Sequence, residues 1–508
     1  MKKRSSLRAA WTLAWIGFLL LNSGALALAQ EPQWSEPLAI SNPGDWSWFP
    51  DLAVSVDGVV HAVWCWTRPA AEKGQLEEQV MYTRRQGDAW DEPNDIVPLS
   101  KDIVRNGLAA DQAGNLHMVF GGSVYDTLAL YYQRARADKA WSASAWSPPH
   151  RLNQGLSYIG DIAVDSHGVV HIVYDDTIYL GEGELPRADI YYRRSADGGA
   201  TWSAPINLYP TPLTGSARPS IEIDSSDTIH VAWDEGWDRL SGTMADSFYS
   251  VYVSSADGGQ TWTEPNLINY PDTSVADLTV GSDDKGGVML VWRSMAQDQI
   301  FYQWSADGGR TWGEVSVIPQ IFARSWSIPF DMYDMTTDSN GTIHLFMAGR
   351  ESKDKQVLGG MYHLAWDGEH WSAPTLIFAQ PGLYPYYPKA TVHEGDQLHV
   401  VWFTKEGDEF KDDVNRVVWY SHTQLAAPHQ PVTPQPTTTL EPVRQVAVTS
   451  SPAPSPTPLY QGERDLNPPQ NVYNESSQVL QLALWLAPVV ILIAVVAVIR
   501  ASRSGRFM

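Results

Sequence analysis

Apolar and polar residues alternate along most of the first 425 residues, in short runs that Gly and Asp interrupt. One phrase recurs, from DGVVHAVW at 57–64 to GDQLHVVW at 395–402. Alternation bounded by turn residues is typical of antiparallel strands, so the pattern predicts a repeated all-β unit. The aligned positions of the phrase are His61, His117, His171, His230, Met289, His344 and His399.

Each repeat provides four predicted strands, and four-stranded units arranged around an axis form a β-propeller. The seventh repeat ends after its third strand, at 416–422. The missing fourth strand is found near the N-terminus, where QWSEPLAIS at 33–41 matches TWSAP at 201–205. The sequence therefore predicts an all-β, seven-bladed β-propeller in which the N-terminal strand closes the last blade by pairing with 416–422.

The two ends of the chain predict its location. Residues 1–29 have a basic start, an apolar run and small residues at a possible cleavage site, which is typical of a secretory signal peptide. The 21 residues 479–499 carry no charge, and arginines follow at once. This pattern favours a transmembrane helix at 478–499 over a buried core helix, with the basic tail 500–508 in the cytoplasm. The expectation is a single-pass cell-membrane protein with its propeller outside.

Composition separates a stalk from a folded domain. Residues 426–477 are rich in Pro, Thr and Ser, so we expect a stalk there and a propeller ectodomain at 30–425. The net charge of −23 argues against a nucleic-acid partner. Cys65 is the single cysteine, so no disulfide forms within the chain. We expect a monomeric ectodomain without a cofactor.

An eight-residue box occurs three times, as SADGGATW at 195–202, SADGGQTW at 255–262 and SADGGRTW at 305–312. Its Asp can accept turn amides, its second Gly allows a positive φ, and its Trp fills space near a neighbouring turn. The box resembles the Asp-box of sialidases and other BNR-repeat proteins. The predicted structural residues are Asp197, Gly199, Trp202, Asp257, Gly259, Trp262, Asp307, Gly309 and Trp312.

The recurring histidines are predicted to be packing residues. Six equivalent positions cannot all be catalytic, and the alternation puts each histidine on one face of its strand. No HxH or HExxH spacing indicates zinc. We therefore expect no metal site.

The face opposite the boxes has the longer loops, in which aromatic residues stand beside carboxylates. Rings stack on sugars and acids bind hydroxyls, so this face is predicted to bind an extracellular glycan or related polymer; the alternative is that exposed loops are simply polar. Four acids open equivalent first strands and are expected around the channel mouth. The predicted ligand-binding residues are Asp51, Asp161, Trp237, Asp277, Asp334 and Tyr387.

The resemblance to sialidases implies an arginine triad, a Tyr–Glu nucleophile pair and an Asp acid/base. By position, Arg293 and Arg350 match a later triad arginine, Tyr387 matches the nucleophile, and Glu235 is its candidate partner. The stretch 48–50 reads Trp-Phe-Pro where the first triad arginine is expected. That departure argues against a true sialidase and leaves open another glycosidase or a polysaccharide lyase. The competing hypothesis is a non-catalytic adhesion, receptor or assembly domain that binds a protein.

Overall fold

The computed structural model describes residues 32–436, except for 70–75, 99, 101, 125–127, 179–186, 211–214, 237–246, 269–274, 295–297, 325–332, 355–356 and 408–413. The expected signal peptide, the stalk beyond 436, the membrane segment 478–499 and the tail lie outside these residues. The described elements are strands, apart from two short 3-10 turns, Ala137–Lys139 and Ala143–Ala145.

The strands form six hydrogen-bonded sheets. The largest has nine strands, β1 (Leu38–Ala39), β2 (Trp46–Val54), β3 (Val60–Pro69), β4 (Leu76–Gln86), β5 (Ala89–Trp90), β6 (Asn94–Asp95), β28 (Leu383–His393), β29 (Gln397–Glu406) and β30 (Arg416–Gln424). Three four-stranded sheets follow repeats two to four, with β7 (Ile103–Ala110), β8 (Asn115–Gly122), β9 (Ala129–Arg136), β10 (His150–Arg151), β11 (Gly160–Val164), β12 (Val170–Ile178), β13 (Arg187–Ser195), β14 (Ile206–Asn207), β15 (Gly215–Ile223), β16 (Ile229–Gly236), β17 (Ser247–Ser255) and β18 (Asn266–Ile268).

Repeats five and six form the remaining two sheets. One has four strands, β19 (Val275–Ser282), β20 (Val288–Ser294), β21 (Gln299–Ser305) and β22 (Ser316–Val317). The other has five, β23 (Phe322–Ala323), β24 (Asp334–Thr337), β25 (Ile343–Arg350), β26 (Gly360–Trp366) and β27 (Thr375–Phe378). Pairing within every sheet is antiparallel, except where β2 meets β30.

This architecture corrects the predicted fold. The described strands form six sheets rather than seven blades, because the parallel pair Trp46–Arg416 joins the first and last repeats into one sheet. No closed propeller is detected among them. The N-terminal strand does pair with the last repeat, through Leu38 with Tyr420 and Ala39 with Trp419.

The predicted membrane topology is also corrected. Within the described ranges, no helix has the length and apolar character needed to cross a bilayer. This finding does not support the transmembrane helix in the predicted fold class. It also does not support the predicted single-pass location with a cytoplasmic C-terminus.

Aromatic contacts connect each repeat to the next. The Trp that begins the fourth-strand segment of one repeat packs against a third-strand aromatic ring of the preceding repeat, edge to face in most cases. The contacts, as ring-centroid distances, are Trp90–Tyr420 4.9 Å, Trp146–Tyr82 6.0 Å, Trp202–Tyr132 4.9 Å, Trp262–Tyr192 4.9 Å, Trp312–Tyr252 5.1 Å, Trp371–Tyr302 5.6 Å and Trp34–His363 5.4 Å. Such pairs contribute roughly 0.5–1.5 kcal/mol each beyond the area they bury.

The box turns fit closely under these rings. Asp197 accepts hydrogen bonds from the Thr201 amide at 2.8 Å and from the Ser195 hydroxyl at 2.7 Å. Gly199 has φ +85°, and a Cβ there would lie 2.0 Å from the Tyr132 hydroxyl oxygen. The turn therefore excludes every side chain larger than hydrogen at this position, for reasons of both φ and space.

The third box offers a matched test of that steric limit. Gly308 and Gly309 have φ +75° and +81°, but a Cβ on Gly308 meets nothing within 4 Å, whereas one on Gly309 lies 2.4 Å from the Tyr252 hydroxyl. We expect Gly308→Ala to lower the free energy of unfolding by about 1 kcal/mol and Gly309→Ala by about 1–3 kcal/mol more. Urea denaturation of both variants measures the difference. Equal losses would mean that the Tyr252 contact is not limiting.

Candidate functional site

Five first strands carry a β-bulge near their start. The register shifts between Trp48 and Asp51, Ile103 and Asn106, Ala217 and Ser220, Ala276 and Thr279, and Tyr386 and Lys389. Four residues in these bulges have positive φ values although none is glycine: Phe49 at 52°, Arg218 at 54°, Asp277 at 58° and Tyr387 at 51°. Such a conformation costs about 1–3 kcal/mol, and bulges commonly re-aim side chains beside functional sites.

The bulges bring together Phe49, Arg105, Arg218, Asp277 and Tyr387, which we name the bulge cluster. The Arg105 guanidinium lies 4.0 Å from the ring centre of Phe49 and 5.0 Å from that of Tyr387. The two rings meet edge to face at 5.4 Å. One cation is thus stacked between aromatic rings from the first and last repeats.

Ion pairs fix the other two residues of the bulge cluster, Arg218 and Asp277. The Arg218 guanidinium contacts Asp234 at 2.8 Å and Asp277 at 3.4 Å. Asp234 also accepts hydrogen bonds from the Ser250 hydroxyl at 2.7 Å and the Asp277 amide at 2.9 Å. This network fixes both the arginine and the strained backbone of Asp277.

The charges of the bulge cluster act on one another. Burial lowers the pKa of Arg105 to about 10, and the nearby charge of Arg218 adds to the effect while Tyr387 and Asp277 oppose it. Burial also raises the pKa of Tyr387, against the positive charges of Lys389 and Arg105. Tyr387 therefore stays protonated at neutral pH.

A second polar group lies one step further along the first strands, in a cavity of about 260 Å³. First strands of all seven repeats contribute to its lining, which includes Asp51, Asp161, Glu222, Asp334 and Lys389. The Lys389 ammonium lies 3.4 Å from Asp334 and 3.9 Å from Asp161. Lys389 thus connects acids from repeats three and six across the cavity.

Three of these acids also tie neighbouring repeats together. Each carboxylate accepts a hydrogen bond from a backbone N–H in the first strand of the following repeat. The bonds are Leu108 to Asp51 at 2.8 Å, Ile221 to Asp161 at 3.1 Å and Ala390 to Asp334 at 2.7 Å. A structural role therefore accompanies the ligand-binding role that was predicted for these acids.

Burial dominates the protonation of the cavity acids. It raises the pKa of Asp51 to about 7 and that of Asp334 to about 6, although Lys389 opposes both shifts. Burial also raises the pKa of Glu222 well above its usual range. Burial would lower the pKa of Lys389, but the charges of Asp161 and Asp334 outweigh it and hold that pKa well above its ordinary value.

The four proposed catalytic residues do not all come together in the bulge cluster. Tyr387 belongs to it. Glu235 follows Asp234 on β16, where it accepts hydrogen bonds from Ser216 Oγ at 2.5 Å and Trp233 Nε1 at 2.6 Å. Two arginines contact other segments: Arg293 donates to the Arg324 carbonyl at 2.7 Å, and Arg350 pairs with Asp298 at 3.0 Å.

The predicted ligand-binding residues divide between the two polar groups. Asp277 and Tyr387 lie in the bulge cluster, whereas Asp51, Asp161 and Asp334 line the cavity. Trp237 lies outside the described residues. Their ligand-binding role stays a prediction.

Sequence reasoning missed Arg105, Arg218 and Lys389. The sequence does contain a signal for three of the bulges. Pro follows the strained residue at 49–50, 218–219 and 387–388. Proline cannot donate to a strand ladder, so inside a strand pattern it is typical of a bulge.

Within the described part of the chain, one group of side chains has the spacing of metal ligands. Asp165, His167 and Asp227 offer ligand atoms within 4.8 Å of one another. Asp227 accepts hydrogen bonds from the amide and the hydroxyl of Ser166 at 2.9 and 2.7 Å. We interpret this group as a contact between two turns, and the expected absence of a metal stays a prediction.

The role of Lys389 can be tested by its removal. We expect Lys389→Met to lower the free energy of unfolding at pH 8 by about 3–5 kcal/mol, because it leaves buried carboxylates facing one another. The raised pKa values of Asp51 and Asp334 mean that both acids take up protons below about pH 6, so the loss should shrink at pH 5. Lys139→Met, at an exposed position, is the control. A loss that is the same at both pH values would contradict the charge argument.

The comparisons with known proteins agree with the repeat pattern. A family model described as a BNR repeat-like domain matches residues 70–400. No curated protein matches the sequence significantly. The resemblance to BNR-repeat proteins is thereby confirmed.

Solved structures of similar fold include a carbohydrate-cleaving enzyme. A polysaccharide lyase PL25 ulvan lyase aligns at TM-score 0.52 with 12% identity, over 75% of this chain and 95% of that one. The NanB sialidase from Streptococcus pneumoniae aligns at TM-score 0.45 with 14% identity, over 77% of this chain and 71% of that one. A Dyadobacter fermentans protein of unknown function aligns at TM-score 0.47 with 14% identity, over 77% of this chain and 99% of that one.

The alignment with the ulvan lyase shows a shared fold, and at 12% identity it shows nothing about substrate. The family match is different in kind, because it extends over more than half of the sequence and includes the three boxes. The chain belongs to the BNR repeat-like domain family.

Proposed function

We propose that this protein binds an acidic polysaccharide at the bulge cluster and cleaves it, as a lyase or a glycoside hydrolase. The observation that carries the proposal is the set of five bulges, which gathers two arginines, two aromatic rings and a carboxylate at the start of the first strands. The fold shared with an ulvan lyase supports this class of activity.

The chemistry of the bulge cluster suits an anionic sugar. A guanidinium binds carboxylate or sulfate oxygens through two parallel N–H donors, which gives both affinity and orientation. Aromatic rings such as Phe49 and Tyr387 pack on the apolar face of a pyranose. Since the chain carries a net charge of −23, a polyanion would be repelled elsewhere and attracted where Arg105 and Arg218 are concentrated.

The burial of the cluster limits how a ligand can reach it. Arg218, with 8% of its surface exposed, is the most accessible of its five residues. A polysaccharide therefore contacts the cluster through one sugar unit that enters end-on, rather than along a flat surface. Burial beside the rings of Phe49 and Tyr387 strengthens the attraction of Arg105 for a sugar anion.

The protonated phenol of Tyr387 suits the role of acid. In β-elimination from a uronate, a base takes the proton next to the carboxylate, a carbon–carbon double bond forms, the glycosidic carbon–oxygen bond breaks, and the leaving oxygen receives the proton of Tyr387. In hydrolysis, the bond between the anomeric carbon and the leaving oxygen breaks, and a water oxygen forms the new bond to that carbon. The base takes a proton from the water, and Tyr387 protonates the leaving oxygen. Glu235 stays the proposed carboxylate partner of Tyr387. Arg293 and Arg350 stay candidates for binding a carboxylate of the substrate.

A second candidate function is glycan binding without cleavage. The observation that favours it is that Glu235 and Asp234 already accept hydrogen bonds from buried protein donors. These hydrogen bonds occupy carboxylate oxygens that a base would need for a proton of the substrate.

The first experiment separates these functions with Tyr387→Phe, which keeps the ring and removes the proton. We expect wild-type protein to release oligosaccharides from uronate or sulfated polysaccharides, and the variant to be slower by about 100-fold or more while it still binds them. Tyr384→Phe, on the same strand, is the control. Unsaturated products identify a lyase, saturated reducing ends identify a hydrolase, and binding without products identifies the second candidate. Unchanged turnover by Tyr387→Phe would contradict the assignment.

The second experiment tests recognition of the anionic group. Arg105→Lys keeps the charge but loses the planar stacking on Phe49 and Tyr387. We expect binding of an acidic polysaccharide to weaken by about 1–3 kcal/mol, with little change for a neutral one. Calorimetric titration with both polymers measures this. An equal affinity of the wild type for neutral and acidic polymers would contradict the proposal.

A further inference from the structure

The residues after the last strand form a strap across the turns that link first and second strands. We define the C-terminal strap as residues 426–436, the start of the predicted stalk. The Gln430 amide donates to the Glu394 carbonyl at 2.7 Å, and Pro428 accepts a hydrogen bond from the Ser339 hydroxyl. The near end of the strap therefore contacts the turns of repeats six and seven.

The far end of the strap contacts repeats two and three. The Gln435 amide donates to the Gln112 carbonyl at 2.8 Å. Its side-chain Nε2 donates to the Ser166 carbonyl at 2.9 Å and lies 3.1 Å from Gln112 Oε1. Three hydrogen bonds thus fix Gln435 between two turns.

Turns of successive repeats are themselves bonded to one another. The contacts are Ser166 to Asp227 at 2.9 Å, Ser225 to Asp284 at 2.8 Å, Lys285 to Asn340, and Ser339 to Gly395 at 2.9 Å. They connect repeats three to seven in order. Gln435 adds repeat two to one end of this series, and the near end of the strap contacts the other end at repeats six and seven.

One residue gives the strap a titratable attachment. His429 Nδ1 lies 3.1 Å from Asp396 Oδ1, and His429 Nε2 lies 3.6 Å from Glu394 Oε2. His393 and Asp57 are the other titratable groups whose charges reach this turn. Two carboxylates face His429 directly, which favours its charged form.

We propose that the strap is a pH-sensitive latch, closed on the turns while His429 carries its proton and released when His429 loses it. The latch is independent of the proposed function. Its seat includes the turn that follows Ala110, the last residue of β7 and a lining residue of the central cavity.

The direction of the effect follows from proton linkage. The hydrogen bond to Asp396 raises the pKa of His429 above the ordinary histidine value. A group with a raised pKa in the closed state stabilises that state at low pH, and the contribution is lost as the pH rises through the raised pKa. The latch should be closed below the ordinary histidine pKa and loosen above neutrality.

Native-state hydrogen exchange of the full chain tests the latch through the Gln430 and Gln435 amides. After correction for intrinsic exchange, we expect their protection to fall severalfold between about pH 5.5 and about pH 8.5. His429→Gln, which keeps a donor for Asp396 but does not titrate, should remove this pH dependence. His370→Gln, at an exposed histidine on a different turn, should behave as wild type.

A further variant separates the attachment from the switch. Gln435→Ala should lower the protection of its own amide at both pH values and leave the pH response of the Gln430 amide unchanged. Protection that is equal at both pH values in the wild type, or a pH response that persists in His429→Gln, would overturn the proposal.

Discussion

The interaction on which the rest of the structure depends is the contact of a buried third-strand tyrosine with a histidine of its own repeat and a tryptophan of the next repeat. Tyr132 bonds through its hydroxyl to His117 Nδ1 at 2.7 Å, while its ring packs on Trp202 of the next repeat. The other nitrogen of His117 lies 3.1 Å from Asp111, in the turn of its own repeat. Because each buried polar atom needs its partner, one residue fixes a turn, two strands and the adjacent box. The same arrangement recurs with Tyr192 and Tyr252.

Because these contacts stabilise the scaffold elsewhere, the start of the first strands is available for function. The Trp–Tyr–His contacts lie on the second, third and fourth strands and the turns, where the same residue types repeat. The bulges lie at the opposite end, and their five residues are of four types: phenylalanine, arginine, arginine, aspartate and tyrosine. Because the repeated Trp–Tyr–His contacts stabilise the rest of the scaffold, it can tolerate the strained φ values of Phe49 and Tyr387.

The sequence predicted the strands and the box turns because repetition shows the same alternation several times. It predicted the pairing of the N-terminal strand with the last repeat because the box pattern identifies the missing strand. It did not predict six sheets, since the single pair Trp46–Arg416 has no pattern of its own. Arg105 and Arg218 were missed for a physical reason. Alternation assigns faces with a period of two, and a bulge inserts residues that break the period, so side chains past it change face. Tyr387 was found through its resemblance to a family position rather than through its face.

The bulges also explain why the two polar groups influence each other. Tyr387 in the bulge cluster and Lys389 in the cavity are two residues apart on β28, and Phe49 and Asp51 have the same relation on β2. The charges of Lys389, Asp51 and Asp161 all act on the pKa of Tyr387, although Asp161 belongs to a distant repeat. Burial is the main cause of the raised pKa of Tyr387, and charges from both polar groups modify it. A change at Lys389 should accordingly alter the chemistry of the bulge cluster without touching any ligand, because strand geometry connects the two.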